Sequence, residues 1–500
     1  MFEIAELGHA VKKSIYNEQV PELRTQLLLA QEKVKNSDFS VIILISGVDG
    51  GGKGDVINLL NEWMDPRYMR TVAFGHPSDE ESERPAFWRY WRTLPAKGTV
   101  GLYVGSWYSN PLSDRVYGKT DDSQLHLELM QVRQLEQELI DDGALIIKCW
   151  LHLKKSEQKN RLKVLAKNPD TQWQVTERDK KHLGMYDEFV MVAENVLTET
   201  STGESPWLIV DGSDLRYSSL TVGKHILHRI EQHIDRRDNE SKATPLVNNS
   251  QPNVFQQNLL DSLDLSLKLD KKSYNAELSK YQGKLNKLSR QAHELKMSSI
   301  LVFEGWDAGG KGGAIRRLTH AIDARNYQVI PVAAPTDEEK LHHYLWRFWR
   351  HIPRAGQVTI YDRSWYGRVL VERVEGFAAE KQWQQAYSEI VNFEEAMSDH
   401  GTLLLKFWLH IDKEEQLKRF KAREQISYKK HKITEEDYRN REKWDEYNIA
   451  VNEMVTRTST QRNPWITVEA NDKKYARIKV IKAYCEQLEK MLDVKEIDNQ

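Results

Sequence analysis

The stretch Gly305-Trp306-Asp307-Ala308-Gly309-Gly310-Lys311-Gly312 is the part of the chain best suited to chemistry. It has the spacing GxxxxGK, and an apolar run, SSILVFEG, leads into it while the helical pattern IRRLTHAID leaves it. Glycines let successive backbone N–H groups turn toward one anion, and a helix start adds partial positive charge. A lysine at that place reaches a phosphoryl group in transfer. Gly305, Gly309, Gly310, Gly312 and Gly313 are therefore candidate phosphate contacts, and Lys311 a candidate catalytic cation.

A Walker A loop ordinarily has Ser or Thr after its lysine, where the hydroxyl helps to hold Mg²⁺. Gly312 stands there instead, so a metal would need other oxygens. Asp307 lies inside the loop, and Asp362 ends a predicted strand at the edge where α/β proteins bind ligands. Both are candidate Mg²⁺ ligands. Plainer readings are an Asx hydrogen bond for Asp307 and a helix cap for Asp362. Arg363, next to Asp362, suits a bidentate phosphate clamp better than a simple ion pair. Arg368 and Arg419 are further candidate phosphate contacts. The run 415–432 carries Lys418, Arg419, Lys421, Arg423, Lys429, Lys430 and Lys432 against Glu415 and Glu424. It follows the third predicted strand of this half, where a basic lid would exclude water and neutralise developing charge. Arg423 is the candidate transition-state arginine. Arg316, Arg317, Arg347, Arg350 and Arg354 would extend the basic surface into a track for a polyanion.

These residues need a scaffold, and the chain builds it twice. Lys53 in GVDGGGKGD matches Lys311 in GWDAGGKGG at an offset of 258 residues. The same offset aligns WRYWRTLP with WRFWRHIP, LYVGSWYS with IYDRSWYG, KCWLHL with KFWLHI, and Pro206-Trp207 with Pro464-Trp465. One register held this far means two copies of one domain. Short β-branched runs ending in Gly read as buried parallel strands. Four are predicted in the second copy: 298–305, 358–362, 402–411 and 465–470. Strands alternating with helices give α/β domains, each a doubly wound parallel sheet flanked by helices with a helical lid. The expected boundaries are 1–234, a polar linker at 235–252 and 253–500.

The copies differ where the chemistry lies. Asp362 becomes Val104, Arg363 becomes Gly105, Arg368 becomes Asn110 and Arg423 becomes Leu165, while Asp49 and Lys53 survive. Losing several charge-stabilising groups together leaves little rate, so the first copy is expected to be inactive. The aromatics of WRFWR are expected to pack in the core rather than to stack on a base.

Composition narrows the partners. A formal net charge of −2 is not that of a nucleic-acid binder. No apolar run reaches the length of a membrane helix and no secretory h-region opens the chain. Two cysteines without CxxC spacing imply neither zinc nor a disulfide framework. A cytoplasmic protein is expected, with self-association left open.

GWDAGGKGG, WRFWRHIPRAG, YDRSWYGRVLVERVEGF and the basic lid resemble the family-2 polyphosphate kinases, in both halves and over nearly the whole chain. The tandem arrangement resembles the family's two-domain class, which moves a phosphoryl group from inorganic polyphosphate to AMP, giving ADP. The resemblance implies that Asp307 and Lys311 are the loop pair, Asp362 and Arg363 the second pair, and Arg423 the lid arginine. The lid lacks the proline that often follows the basic run. Polyphosphate and AMP are thus the implied partners and Mg²⁺ the implied cofactor. The alternatives are ADP or GDP as acceptor, an ATP-dependent nucleotide kinase, and a binding protein without turnover.

Overall fold

A computed structural model of the chain describes residues 1–175, 177–242, 259–425 and 435–498. Each copy holds a five-stranded parallel sheet. In the first, β1 (Val41–Gly47), β2 (Met69–Ala73), β3 (Val100–Val104), β4 (Leu145–His152) and β5 (Trp207–Asp211) take the order β2-β3-β1-β4-β5. In the second, β6 (Ser299–Gly305), β7 (Tyr327–Pro331), β8 (Val358–Asp362), β9 (Leu403–His410) and β10 (Trp465–Glu469) take the order β7-β8-β6-β9-β10. The central strand of each sheet is an almost unbroken buried run, because helices cover both faces.

This order positions the site. β6 lies between β8 and β9, with Phe303 opposite Asp362 on one side and Gly305 opposite Leu409 on the other. The chain leaves β6 and β8 at the same sheet edge, in the crevice where the strand order switches. The loop after β6 and the pair after β8 therefore meet.

All four strands expected in the second copy are present. β7 was not expected: it is an edge strand with only part of its surface covered, so it lacks the apolar run of a central strand. The helix after β5 runs from Leu215 to Lys242, so the first eight residues of the expected linker are helical. Residues 243–258 lie outside the described residues, as do 426–434, which include Lys429, Lys430 and Lys432 of the expected lid. The described residues group into two compact units that nearly match the two halves; residues 78–88 group with the second unit and 336–343 with the first.

Both copies keep the same buried ion pair. Lys406 Nζ donates to Glu394 Oε2 at 2.7 Å, the Tyr366 hydroxyl at 3.1 Å and the Thr458 carbonyl at 2.7 Å. Lys148 does the same with Glu136, Tyr108 and Thr200. Trp365 and Tyr366 both donate to Glu394 Oε1, so the SWY of YDRSWYG fastens strand β8 to the core. No helix among the described residues is long and apolar enough to cross a membrane.

Candidate active site

The loop between β6 and the helix Lys311–Thr319 is shaped by contacts only glycine allows. A Cβ on Gly305, at φ 145°, would lie 2.4 Å from the Leu409 carbonyl oxygen. Gly309 N–H donates to Trp306 O at 2.8 Å and Gly313 N–H to Gly310 O at 2.9 Å. These two glycines therefore shape the loop, and their amides are not available as the expected phosphate donors. Gly310, at φ 113°, caps the helix, so the amides of Gly310, Lys311 and Gly312 are the orphan donors of a helix start. Lys311 Nζ donates to the carbonyls of Gly305 at 2.6 Å and Trp306 at 3.4 Å, which holds the ammonium over the loop.

Asp307 and Arg363 meet: Arg363 Nη2 donates to Asp307 Oδ1 at 2.8 Å. Asn440 Nδ2 donates to the other oxygen at 3.1 Å. Burial works to raise the Asp307 carboxyl, but Lys311, Arg363 and Asn440 outweigh it and hold it below the usual carboxylate range. Asp362 Oδ2 lies 4.0 Å from where a Cβ on Gly312 would stand, beside the first helical turn. Ser or Thr after the lysine is thus replaced by a glycine that leaves room for a carboxylate.

Arg363 and Ala308 adopt left-handed backbone, at φ 65° and 61°. The first copy has Gly105 and Gly50 at these places, at φ 70° and 74°. A side chain there costs about 1–2 kcal/mol, so the second copy keeps a guanidinium at a position where glycine folds more easily.

One of the expected arginine contacts is corrected. Arg419 is buried and spends all five donors on protein: Nε on Glu415 at 2.7 Å, Nη1 on Ala308 O and Gly309 O, and Nη2 on Ala470 O and Asn471 O. It braces the loop and has no donor left for phosphate. Arg161 does the same in the first copy, on Gly50, Gly212 and Ser213. Arg368 pairs with Glu372 at 2.9 Å and covers the Tyr344 ring, and its buried Nε makes no hydrogen bond among the described residues. Arg423, in the last turn of the helix Lys413–Glu424, lies in the field of Arg419 and Lys473. Among the described residues no contact joins it to Arg363. Of the arginines expected to extend the basic surface, Arg317 donates to Gly313 O, Arg347 to Ala333 O, and Arg350 covers the Trp346 ring. Trp346, Phe348 and Trp349 are buried, so WRFWR is core packing as expected.

Sequence reasoning missed Asn440 and Glu304. Glu304 is buried beside the loop and accepts from Ser364 Oγ at 2.8 Å. Burial pushes its carboxyl up, against the pull of Lys311, Ser364 and Arg363. The 258 offset holds the signal for both: the first copy has Ser46 and His182.

The first copy's loop faces a different space. Its cavity of about 390 Å³ is lined by Asp49 and Lys53 at one end and by Phe74, Val104, Tyr117 and Phe189 elsewhere. His182 bridges Asp49 and the Tyr117 hydroxyl.

The polyphosphate kinase 2 family model matches this chain twice, over residues 10–238 and 268–496. The chain belongs to the polyphosphate kinase 2 family. It is 49% identical to a polyphosphate:AMP phosphotransferase of Pseudomonas aeruginosa over 493 residues, covering 98% of this chain and 99% of that one. A protein of the same description from Acinetobacter johnsonii is 34% identical, covering 96% and 98%. A solved structure described as polyphosphate kinase 2, from Pseudomonas aeruginosa, superposes with a TM-score of 0.87 at 48% identity, covering 99% of each chain. The two matches of the family model fall one on each copy.

Proposed function

We propose that the C-terminal domain transfers a phosphoryl group from inorganic polyphosphate to AMP, giving ADP, with Mg²⁺ as its metal. The observation that carries this reading is the full-length likeness to polyphosphate:AMP phosphotransferases. The gathering of Asp307, Lys311, Asp362 and Arg363 at one loop gives it a mechanism.

Asp307 and Asp362 are hard oxygen donors at one helix start, which suits Mg²⁺ completed by phosphate oxygens and water. When bound, Mg²⁺ neutralises charge on the phosphoryl oxygens. The amides of Gly310, Lys311 and Gly312 bind the donor phosphate next to the one transferred, and Lys311 adds a full charge. Arg363, anchored on Asp307, clamps the moving phosphoryl group. An AMP phosphate oxygen attacks in line. A new P–O bond forms, the donor's terminal anhydride P–O bond breaks, and the shortened polyphosphate leaves with the bonding pair. The attacking oxygen is already ionised, so no protein base is required and catalysis is positioning plus electrostatics. Glu304 acts by positioning Ser364, next to Arg363.

The reading calls for no nucleic acid and places the chain in the cytoplasm with its nucleotide. It is tested by supplying polyphosphate and Mg²⁺ with AMP, ADP or GDP in turn. ADP from AMP is expected. ATP from ADP at a comparable rate would overturn the acceptor, and no product from any acceptor would overturn the transferase.

A further inference from the structure

The cavity at the first copy's loop has walls of two kinds. At the loop end, Lys53 Nζ donates to the carbonyls of Gly47 and Val48 at 2.8 Å each, and Asp49 lies 4.0 Å from it. The helix Lys53–Trp63 starts here behind Gly52, at φ 87°, and a helix start favours an anion. His182 closes this end by joining Asp49 to the Tyr117 hydroxyl. The other walls include Phe74, Val104, Leu112, Val116, Met185 and Phe189. They come from the ends of β2 and β3, the helix Ser109–Val116, and the start of the helix Tyr186–Thr200. All of these residues belong to the first compact unit.

The second copy shows what these walls replace. Val104, Tyr117, Met185 and Phe189 stand where it has Asp362, Glu375, Lys443 and Tyr447. There Glu375 pairs with Arg439 and Lys443, at 3.3 Å each. The first copy has thus exchanged charged side chains for apolar ones around its loop. Loss of phosphoryl transfer does not call for this, because charged side chains facing water cost a fold little. Apolar side chains around an open space forgo the contacts of a filled interior. The space measures about 390 Å³, within the ordinary range for a small-molecule site. Such sites combine apolar walls with a few polar groups at one end, as here.

We propose that this cavity binds a small organic ligand with a flat apolar body and a single anionic head, a carboxylate or a phosphate ester. The head sits at the loop, on Lys53 and the helix start, and the body lies against the Phe74 and Phe189 walls. One head is the limit. Among the described residues the lining holds one lysine and one carboxylate, and Asp55 in the first helical turn repels further negative charge. A chain of phosphates is therefore excluded. Every residue used belongs to the first copy, so the proposal does not depend on the transfer reaction assigned to the second.

The test is calorimetry on the full chain with three probes that share one ring system: 1-naphthoate, 1-naphthyl phosphate and the neutral 1-naphthalenemethanol. At least one anion is expected to bind about tenfold or more tighter than the neutral probe. The tighter of the two tells a carboxylate ligand from a phosphate ester. Lys53→Gln removes the charge and Val104→Phe fills the space from another wall. Each should weaken that anion about tenfold or more. Lys311→Gln, in the second copy, should change it by under about twofold. Met185→Trp fills the same space from a half-buried position and takes the place of Val104→Phe if that variant melts below the parent. The site is overturned if neither anion binds, if the neutral probe binds as tightly, or if Lys311→Gln rather than Lys53→Gln abolishes binding.

Discussion

The two copies share a sheet order, a buried Lys-Glu pair, an arginine brace and a P-loop with its aspartate and lysine, yet only the second joins its loop aspartate to an Asp-Arg pair at the end of the neighbouring strand. The comparison sorts motif residues by role. Trp365 and Tyr366 belong to the most specific-looking motif, but their counterparts Trp107 and Tyr108 bind Glu136 in the same way in the copy that lacks the Asp-Arg pair. They hold the fold. Asp362, Arg363, Glu304, Lys473 and Arg477 have no counterparts of like charge, and all lie around the loop; Asn440 is replaced by His182, which reaches Asp49 as Asn440 reaches Asp307. The first copy lacks the Asp-Arg pair after β3, and its cavity is lined there by Val104 and Gly105 while Asp49 and Lys53 remain.

The largest effect should come from making the second copy resemble the first. Asp362→Val with Arg363→Gly removes the proposed metal ligand and the proposed phosphate clamp. Each such group is worth about 10²–10³ in kcat, so a fall of about 10⁴ or more is expected in AMP turnover. The Gly substitution also relieves the left-handed strain, so Arg363→Gly alone should melt at or above the parent temperature while losing most activity. A lower melting temperature for Arg363→Gly would mean that the guanidinium serves the fold.

Second is the pair both copies share. Glu394→Gln leaves Lys406 charged in a fully buried site, and Glu136→Gln does so for Lys148. Breaking a buried pair costs about 3–5 kcal/mol. Denaturant unfolding should show a loss of this size for either substitution. A large loss for one and little for the other would break the structural equivalence of the copies.

Much of this was legible in the sequence, for physical reasons. Central strands are covered on both faces and so show as apolar runs, and a P-loop needs its glycines in fixed places. β7 escaped because an edge strand keeps exposed polar positions. The end of the helix Leu215–Lys242 escaped because DRRDNESK reads as a solvated segment whether coiled or helical. Arg419 was misread because sequence reveals a charge but not whether its donors are already spent. Asn440, Lys473 and Arg477 reach the loop only through folding, although the offset that exposed Asp362 against Val104 would have flagged each of them.

The smallest effect is expected at the residue the copies share most visibly. Lys53 matches Lys311, and its Nζ donates to the carbonyls of Gly47 and Val48 at 2.8 Å each, as Lys311 does to its own loop. Its surroundings are what differ. Asp49 lies 4.0 Å from its ammonium and Asp55 stands in the first turn of its helix, so a polyphosphate arriving there would meet carboxylates rather than arginines. No Asp-Arg pair follows β3, because Val104 and Gly105 end it. Lys53→Ala should therefore change AMP turnover and polyphosphate affinity by less than about twofold, whereas Lys311→Ala costs about 10² or more. Comparable losses from the two would mean that the first loop handles donor phosphate after all, and that a lysine on a P-loop suffices without the groups around it.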